Sequence, residues 1–399
     1  MKAESNRRIE SRATHPPSLR FDATSHATRS RPIRLLTAVP ICDGHDSAIS
    51  TINLEFVRRG LEVVYLGYHR SVRDVVRAAI QEDARAIGLS SYNGGHVEFF
   101  SEVLRELKRR GAGDIGVFGG GGGTITADDA KLLKRRGVDE IFFAGTPLDA
   151  MVNFVKRKYA TAKKTFHAAT SPSARLADGA LAKCLTAAEN GDRLSTLNSE
   201  LSTRTLGVTG PGGAGKTTLI DELALRFLST HPAGRLAVLS HDPSLVGDGA
   251  LLGDRATMIY AQDDRVFMRS LATRGHAGGV SRATARCLDV LRHAGFDLVI
   301  VETVGVGQEA LPFRRDLVDK TVLVMSPDYG SRLQLQKIAM LDAADLVVVN
   351  KSDLPGAKTA AAEIRQRLEH NQRGQRLIVT MAKRHRDPGV DNLFREVMS

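Results

Sequence analysis

One octapeptide constrains this chain more than any other feature. Gly210-Pro211-Gly212-Gly213-Ala214-Gly215-Lys216-Thr217 fits G-x-x-x-x-G-K-[ST] at every fixed position. An apolar run at 205–209 precedes it and an amphipathic stretch at 217–229 follows it, the strand–loop–helix setting that the motif requires. The reason is local. Glycines let successive backbone N–H groups turn toward an anion, at a helix N-terminus that already favours negative charge. Gly210, Gly212, Gly213 and Gly215 therefore line a phosphate loop. Lys216 reaches the β and γ oxygens, Thr217 offers its hydroxyl to Mg²⁺, and Thr218 joins the phosphate-binding set. A chain organised around this loop is an α/β protein, its strand rising from a mostly parallel sheet.

The rest of that series agrees. Further apolar runs stand at 236–240, 297–301, 320–325, 346–349 and 376–380, with helix-like stretches between most of them. The run at 346–349 leads into Asn350-Lys351-Ser352-Asp353. A carboxylate at Asp353 accepts from guanine N1–H and the N2 amino group, a donor pair that adenine lacks, so the site selects GTP. Asn350 and Lys351 complete the base-side set. The run at 297–301 ends in Glu302-Thr303-Val304-Gly305-Val306-Gly307-Gln308. An acid at that strand end fits the residue that holds Mg²⁺. Asp242, just past the run at 236–240, points at the same phosphates. Gln308 has two readings, a residue that orients water and a solvated loop glutamine. Asp254 likewise reads as a site carboxylate or as a loop acid paired with Arg255.

A different series precedes this one. Short apolar runs at 33–39, 62–66, 86–90, 115–118 and 140–143 alternate with amphipathic stretches near 48–59, 71–82, 96–110, 126–136 and 147–157. Five strands and five helices predict a flavodoxin-like, doubly wound parallel sheet, with ligands beyond the carboxyl ends of its strands. The expected organisation is a disordered tail over 1–32, the flavodoxin-like domain over 33–157, a linker with some helix over 158–200, and a P-loop GTPase domain over 201–399. The 399 residues carry a formal charge of +11. Residues 1–32 hold seven Lys/Arg against three Asp/Glu, and 150–176 hold six bases and no acid. Much of the excess thus lies in a tail and a linker rather than on a recognition face. With no Trp to stack bases, a nucleic-acid partner is not expected. Cys42, Cys184 and Cys287 are too few and too scattered for a disulfide framework or a zinc site. No apolar run approaches the ~20 residues that span a bilayer, and no secretory leader is evident. The expectation is a cytoplasmic protein with no membrane association. Phe142 and Phe143 read as core aromatics.

The C-terminal half resembles the G-protein chaperones of acyl-CoA mutases. The resemblance rests on Asp242-Pro243-Ser244, Gly249-Ala250-Leu251-Leu252-Gly253-Asp254-Arg255, Met268-Arg269-Ser270-Leu271-Ala272-Thr273-Arg274-Gly275, the stretch Glu302 to Gln308, and Asn350-Lys351-Ser352-Asp353. It implies a GTPase that gates adenosylcobalamin loading and release, with Lys216, Asp242, Glu302 and Gln308 as the catalytic set and Thr217, Asp242 and Glu302 on Mg²⁺. In the first domain, Asp43-Gly44-His45-Asp46 follows the first strand. A histidine there can present Nε2 to a metal while an acid fixes its tautomer; taken alone, Asp-x-His reads more readily as a loop histidine with a local partner. Ser90-Ser91-Tyr92-Asn93-Gly94-Gly95-His96 follows the third strand, and Gly119 to Gly123 follow the fourth. Glycine there lets a bulky ligand approach the backbone. The set resembles the mutase cobalamin domain, D-x-H-x-x-G … S-x-L … G-G, through Asp43, His45, Ser90, Gly119 and Gly120. Ala48 stands in place of the pattern's Gly, and Tyr92 in place of its Leu. The resemblance implies His45 as lower cobalt ligand with the dimethylbenzimidazole displaced into the domain. The fused isobutyryl-CoA mutases are the family most similar in these motifs.

Those enzymes also carry a substrate-binding barrel, and a (β/α)₈ barrel needs ~250 residues, which the two domains leave no room for. The expectation is a small cobalamin-binding subunit fused to its GTPase chaperone and docking on a separate large barrel subunit, with a homodimer through the G domain as a further partner. Two other functions compete with it: a stand-alone GTP-dependent cobalamin carrier, and a cobalamin-sensing regulator, for which no DNA-binding or kinase module is found.

Overall fold

The first alternating series forms β1 (Arg34–Ala38), α1 (Ser47–Arg58), β2 (Glu62–Tyr65), α2 (Val72–Gln81), β3 (Ala86–Ser90), α3 (His96–Arg109), β4 (Gly116–Gly121), α4 (Ala127–Arg136), β5 (Glu140–Phe143) and α5 (Leu148–Tyr159) in a computed structural model. The structure describes residues 32–41, 43, 47–160, 176–192, 203–244, 249–305, 313, 317–329 and 339–399. Local chemistry sets several boundaries. Ser71 with Asp74 and Thr126 with Asp129 make reciprocal capping boxes that start α2 and α4, satisfying N–H groups the first turn leaves open. Gly137, at φ 112°, ends α4 in the left-handed conformation. The strands pair in parallel in the order β5-β4-β3-β1-β2, the flavodoxin-like arrangement.

The second series adds α6 (Asp178–Asn190), β6 (Arg204–Thr209), α7 (Lys216–Thr230), β7 (Leu236–Asp242), β8 (Ala250–Leu252), β9 (Val266–Ala272), α8 (Thr284–Arg292), β10 (Leu298–Glu302), β11 (Lys320–Met325), α9 (Ala339–Ala343), β12 (Leu346–Val349), α10 (Ala357–Asn371), β13 (Arg376–Val379) and α11 (Pro388–Met398). Seven of these strands form a parallel sheet in the order β13-β12-β11-β6-β10-β7-β9. Leu206, Val208 and Ile300 pack beneath α7 on one face, and Leu239, Val299 and Val301 pack with α6 and α8 on the other. Burial on both faces explains the near-continuous apolar runs.

Two strands depart from the sequence expectation. β9 is a full seventh strand, every residue of it buried. Its charged member, Arg269, is 1% exposed and donates to Glu189 of α6 at 2.9 Å and to Thr186 Oγ1 at 2.8 Å. β8 leaves its own half of the chain. It pairs in parallel with β2, Glu62 opposite Ala250 and Val64 opposite Leu252, and becomes the sixth strand of the first sheet. Ala250 and Leu252 enter the core beneath α2 and α3, and Leu251 packs with Phe56 and Val63 on the opposite face.

A buried ionic cluster closes the seam between the two sheets. Arg34 of β1 binds Glu62 at 2.8 Å and Glu189 at 2.9 Å. Arg274, after β9, binds the same two carboxylates at 2.8 and 2.7 Å. Glu82, past α2, accepts from the backbone and hydroxyl of Ser270. Burial alone would raise the Glu189 carboxyl, but Arg34, Arg269 and Arg274 outweigh it and hold it at about 2. Pro32–Ser399 is thus one compact unit carrying two sheets. No helix among the described residues is long and apolar enough to cross a membrane.

Candidate functional site

The phosphate loop joins β6 to α7 at the carboxyl end of the second sheet. Gly210 must be glycine: its φ is 143°, and a Cβ there would lie 2.0 Å from Val324 O. Gly213 and Gly215 also have positive φ. Gly305, after β10, approaches so closely that its Cβ would meet Gly212 Cα at 2.6 Å. The post-β10 turn and the phosphate loop are therefore in van der Waals contact. Lys216 Nζ donates to Gly210 O at 3.0 Å and Pro211 O at 3.2 Å, folding back over its own loop. Burial lowers its pKa, opposed by Glu302 and Asp254.

A cavity of about 510 Å³ opens over this loop, and Gly213, Lys216, Thr217, Asp242, Asp254 and Glu302 reach it. Thr217 Oγ1 donates to Glu302 Oε1 at 2.7 Å, so two expected Mg²⁺ ligands touch. Asp242 Oδ2 is buried without a partner. Burial, then the Asp254 carboxyl, pushes both Asp242 and Glu302 up to about 8. A hydroxyl, an orphaned carboxylate oxygen and two acids held in excess of their ordinary range fit a cation that shares its shell with phosphate and water. Thr218 reaches the same cavity. Gln308 lies outside the described residues.

Three contributors carried no sequence signal. Ser240 Oγ donates to Asp254 and, at 3.5 Å, to Glu302. His241 bridges Glu302 O at 2.7 Å and Thr284 Oγ1 at 2.8 Å; burial brings its pKa down to about 4, so the ring is neutral. Lys383, past β13, donates to Asp353 and holds its carboxyl below the usual range. Of the two readings of Asp254, the pair with Arg255 does not form. Asp254 turns into the cavity and Arg255 turns away, to Gln81 and Met268 O. Asn350 is tied at both ends of its amide: its Nδ2 donates to Ala214 O at 3.0 Å, and its Oδ1 accepts from Thr380 Oγ1 and Ala382 N. Lys351 sits beside it at φ 58°.

The second cavity, about 460 Å³, opens at the carboxyl end of the first sheet, within the range of small-molecule sites. Ala48, Ser90, Tyr92, Gly119 and Gly120 line it, and Phe56, Phe118 and Met151 make its wall largely apolar. Thr37 adds a buried hydroxyl that has no partner. Asp43, fully buried, accepts from the backbone of Tyr92 and from Asn93 N at 3.1 Å, tying the loop after β1 to the loop after β3. His45, the expected cobalt ligand, lies outside the described residues. The glycines that line it also meet a packing demand. A Cβ at Gly119 would lie 2.3 Å from Leu89 O, at Gly120 2.3 Å from Phe142 O, and at Gly121 1.7 Å from Ser91 O. Close packing of β4 against its neighbours demands them. Gly122 gives its space to the Tyr92 ring, 2.0 Å from where its Cβ would stand. Phe142 packs in the core as expected, but Phe143 is 43% exposed at the cavity's edge. An apolar cleft with one orphaned hydroxyl fits the aromatic nucleotide tail of a cobalamin. Cys184 and Cys287 are buried, and burial pushes the Cys287 thiol up to about 12.

Comparison with known proteins finds a family for each half of the chain. Residues 183–399 match the family model described as methylmalonyl Co-A mutase-associated GTPase MeaB, and residues 33–152 match the B12 binding domain. The chain is 38% identical over 387 residues to a fused isobutyryl-CoA mutase of Cupriavidus metallidurans, covering 91% of this chain and 35% of that protein. It is 36% identical over 391 residues to a fused isobutyryl-CoA mutase of Geobacillus kaustophilus, covering 91% and 36%. A putative GTPase of Pyrococcus horikoshii is 42% identical over 161 residues, 40% of this chain and 50% of that one. The chain therefore spans about a third of the length of the fused mutases it matches.

Proposed function

The chain belongs to the methylmalonyl-CoA mutase-associated GTPase family, and from that premise we propose that it holds adenosylcobalamin on its first sheet and hydrolyses GTP on its second, gating cofactor loading and release at an acyl-CoA mutase barrel. The observation that carries the reading is the pairing of two clefts in one compact unit, each at the carboxyl end of a parallel sheet and each with its own motif. Backbone N–H groups of 210–217 cradle the phosphates. Lys216 neutralises charge between the β and γ groups, and Thr217, Asp242 and Glu302 would hold Mg²⁺ there. Gln308 orients the attacking water. Asn350 braces the base pocket, Lys351 flanks the base, and Asp353 reads guanine.

In the first cleft, His45 would ligate the cobalt of a bound cobalamin, with Asp43 beside it in sequence. Ser90 and the Gly119–Gly120 edge border the channel for the displaced tail, and the apolar wall shields that tail from water. Adenosylcobalamin supplies organic-radical chemistry when bound. The barrel comes from a separate large subunit, and a second copy of the chain docks through the G domain. The domain boundaries proposed are 33–157 and 201–399, in the cytoplasm.

Purified chain should hydrolyse GTP and not ATP. It should take up cobalamin with the visible and EPR spectra of a nitrogen-ligated, base-off form, and His45→Ala should abolish the nitrogen coupling. Acyl-CoA isomerisation should appear only on adding a barrel subunit. Equal turnover of ATP and GTP, or nitrogen coupling that survives in His45→Ala, would defeat the corresponding half of the reading.

A further inference from the structure

Residues 249–256 belong physically to the nucleotide cavity and to the edge of the first sheet. At one end Gly249 sits against the first sheet so tightly that a Cβ would lie 2.0 Å from Val57 O. Ala250 N donates to Leu61 O at 3.2 Å, and β8 then runs beside β2. At the other end a 3-10 turn over Asp254–Ala256 hands successive residues to opposite sides. Asp254 lines the nucleotide cavity and accepts from Ser240. Arg255 crosses the seam to Gln81 of α2, donates to Met268 O at 3.3 Å and lies 3.6 Å from Glu82. Ala256 O accepts from Arg70 Nη2 at 2.7 Å.

We propose that this segment is the coupling element between the two sites: Arg255 is a positioning residue for Asp254, and nucleotide binding and the seating of β8 on β2 depend on each other within the single chain. The proposal rests on the GTP reading of the second site and adds to it a mechanical route that needs no partner subunit. The three carboxylates in the nucleotide cavity differ in how they are held. Asp242 and Glu302 end long strands in the middle of the second sheet, β7 and β10. Asp254 follows a three-residue strand on the edge of the other sheet. A Mg²⁺–nucleotide entering among these acids changes what Asp254 pairs with. Asp242 and Glu302 cannot follow without breaking their own sheet. Asp254 can, and a shift in it reaches Arg255 directly, because Arg255 is buried and its partners belong to α2 and β9. The guanidinium cannot relax into water, so the strain falls on β8. Linkage then runs both ways: whatever stabilises the seated strand from the cobalamin side alters nucleotide affinity by the same factor.

Hydrogen exchange on the full chain tests this with GTP analogue and metal alone. Exchange is followed in segments covering 60–66 and 249–258, without nucleotide, with Mg²⁺–GDP, and with Mg²⁺ and a non-hydrolysable GTP analogue. The expected result is a nucleotide-dependent change of about threefold or more in exchange of β2, in the sheet that does not touch the nucleotide. Arg255→Met should abolish that response and raise KM for Mg²⁺–GTP by about fivefold or more with little change in kcat, and Arg255→Lys should restore part of both. If the analogue binds and β2 exchange stays unchanged, the coupling proposal is overturned while the GTPase reading stands. If no guanine nucleotide binds, the GTPase reading falls and takes this inference with it. Should Arg255→Met fail to fold, the wild-type exchange result decides alone.

Discussion

Asp353, proposed to read guanine, does not stand alone. Its carboxylate is aimed by Lys383, and the loop it belongs to is pinned by Asn350, which bonds to three separate backbone or side-chain groups. Asp353→Asn reverses one hydrogen-bond polarity, so GTP affinity should fall about 10- to 100-fold while xanthosine triphosphate gains. Competition of the two nucleotides for the purified variant measures it, and an unchanged preference would remove Asp353 from the base site. Lys383→Ala should have a smaller effect, since the pair is open to solvent. Gly121 makes a stability prediction of a different kind. A methyl there must displace Ser91 O, so Gly121→Ala should destabilise the fold by about 1–3 kcal/mol through overpacking, read by urea unfolding, and should narrow the mouth of the first cavity. The phosphate loop was legible in the sequence because its chemistry is local and fixed in spacing. The tight packing of the glycines at the end of β4 was not, because a run of glycine does not say that a neighbouring strand requires the space.

Strands and helices were legible wherever burial on both faces wrote a continuous apolar run, and the two missed strands show the limit. β9 reads Val-Phe-Met-Arg-Ser-Leu-Ala, and Arg269 in its middle looks like a surface residue. It is buried because α6 supplies Glu189 and Thr186, a partnership across 80 residues that no local pattern contains. β8 is three residues long, too short for any periodicity, and its partner strand is in another part of the chain. Glu189 is the centre of the seam, shared by Arg34, Arg269 and Arg274. Removing one partner from such a cluster leaves buried charges unmatched, so Glu189→Gln should cost about 3–5 kcal/mol at neutral pH. The pH dependence follows from its carboxyl being held at about 2 in the fold against 4.5 ordinarily. A depressed carboxyl contributes stability that is present above its unfolded value and lost as pH falls through its folded one. The unfolding curves of wild type and Glu189→Gln should therefore lie apart at pH 7 and converge between pH 4.5 and about 2. Parallel curves across that window would mean that Glu189 is not the titrating member of the cluster.

At the scale of the molecule, the seam makes the first sheet dependent on elements from later in the chain, α6, β8 and β9. β8 covers the β2 edge and fills the core with Ala250 and Leu252. α6 supplies the carboxylate that neutralises Arg34, and β9 supplies the backbone acceptor for the buried Arg77 and the donors for Glu82. A fragment spanning 32–160 keeps all five of its own strands, and a sequence reading would call it a complete domain. It would nonetheless present an open, unpaired β2 edge, a hazard for edge-to-edge association, together with Arg34, Glu62, Arg77 and Glu82 stripped of their partners from the second half. The expected outcome is a fragment that associates or melts more than about 10 °C below the intact chain, since each 1 kcal/mol lost shifts a domain of this size by roughly 2–8 °C and several such contributions are removed together. Adding 176–192 and 249–275 back through a shortened linker should recover much of the loss, because those segments carry α6, β8 and β9. Thermal unfolding by circular dichroism and light scattering separates the outcomes. A fragment that stays monomeric and melts with the intact chain would show that the buried ionic seam orients the two sheets without stabilising either.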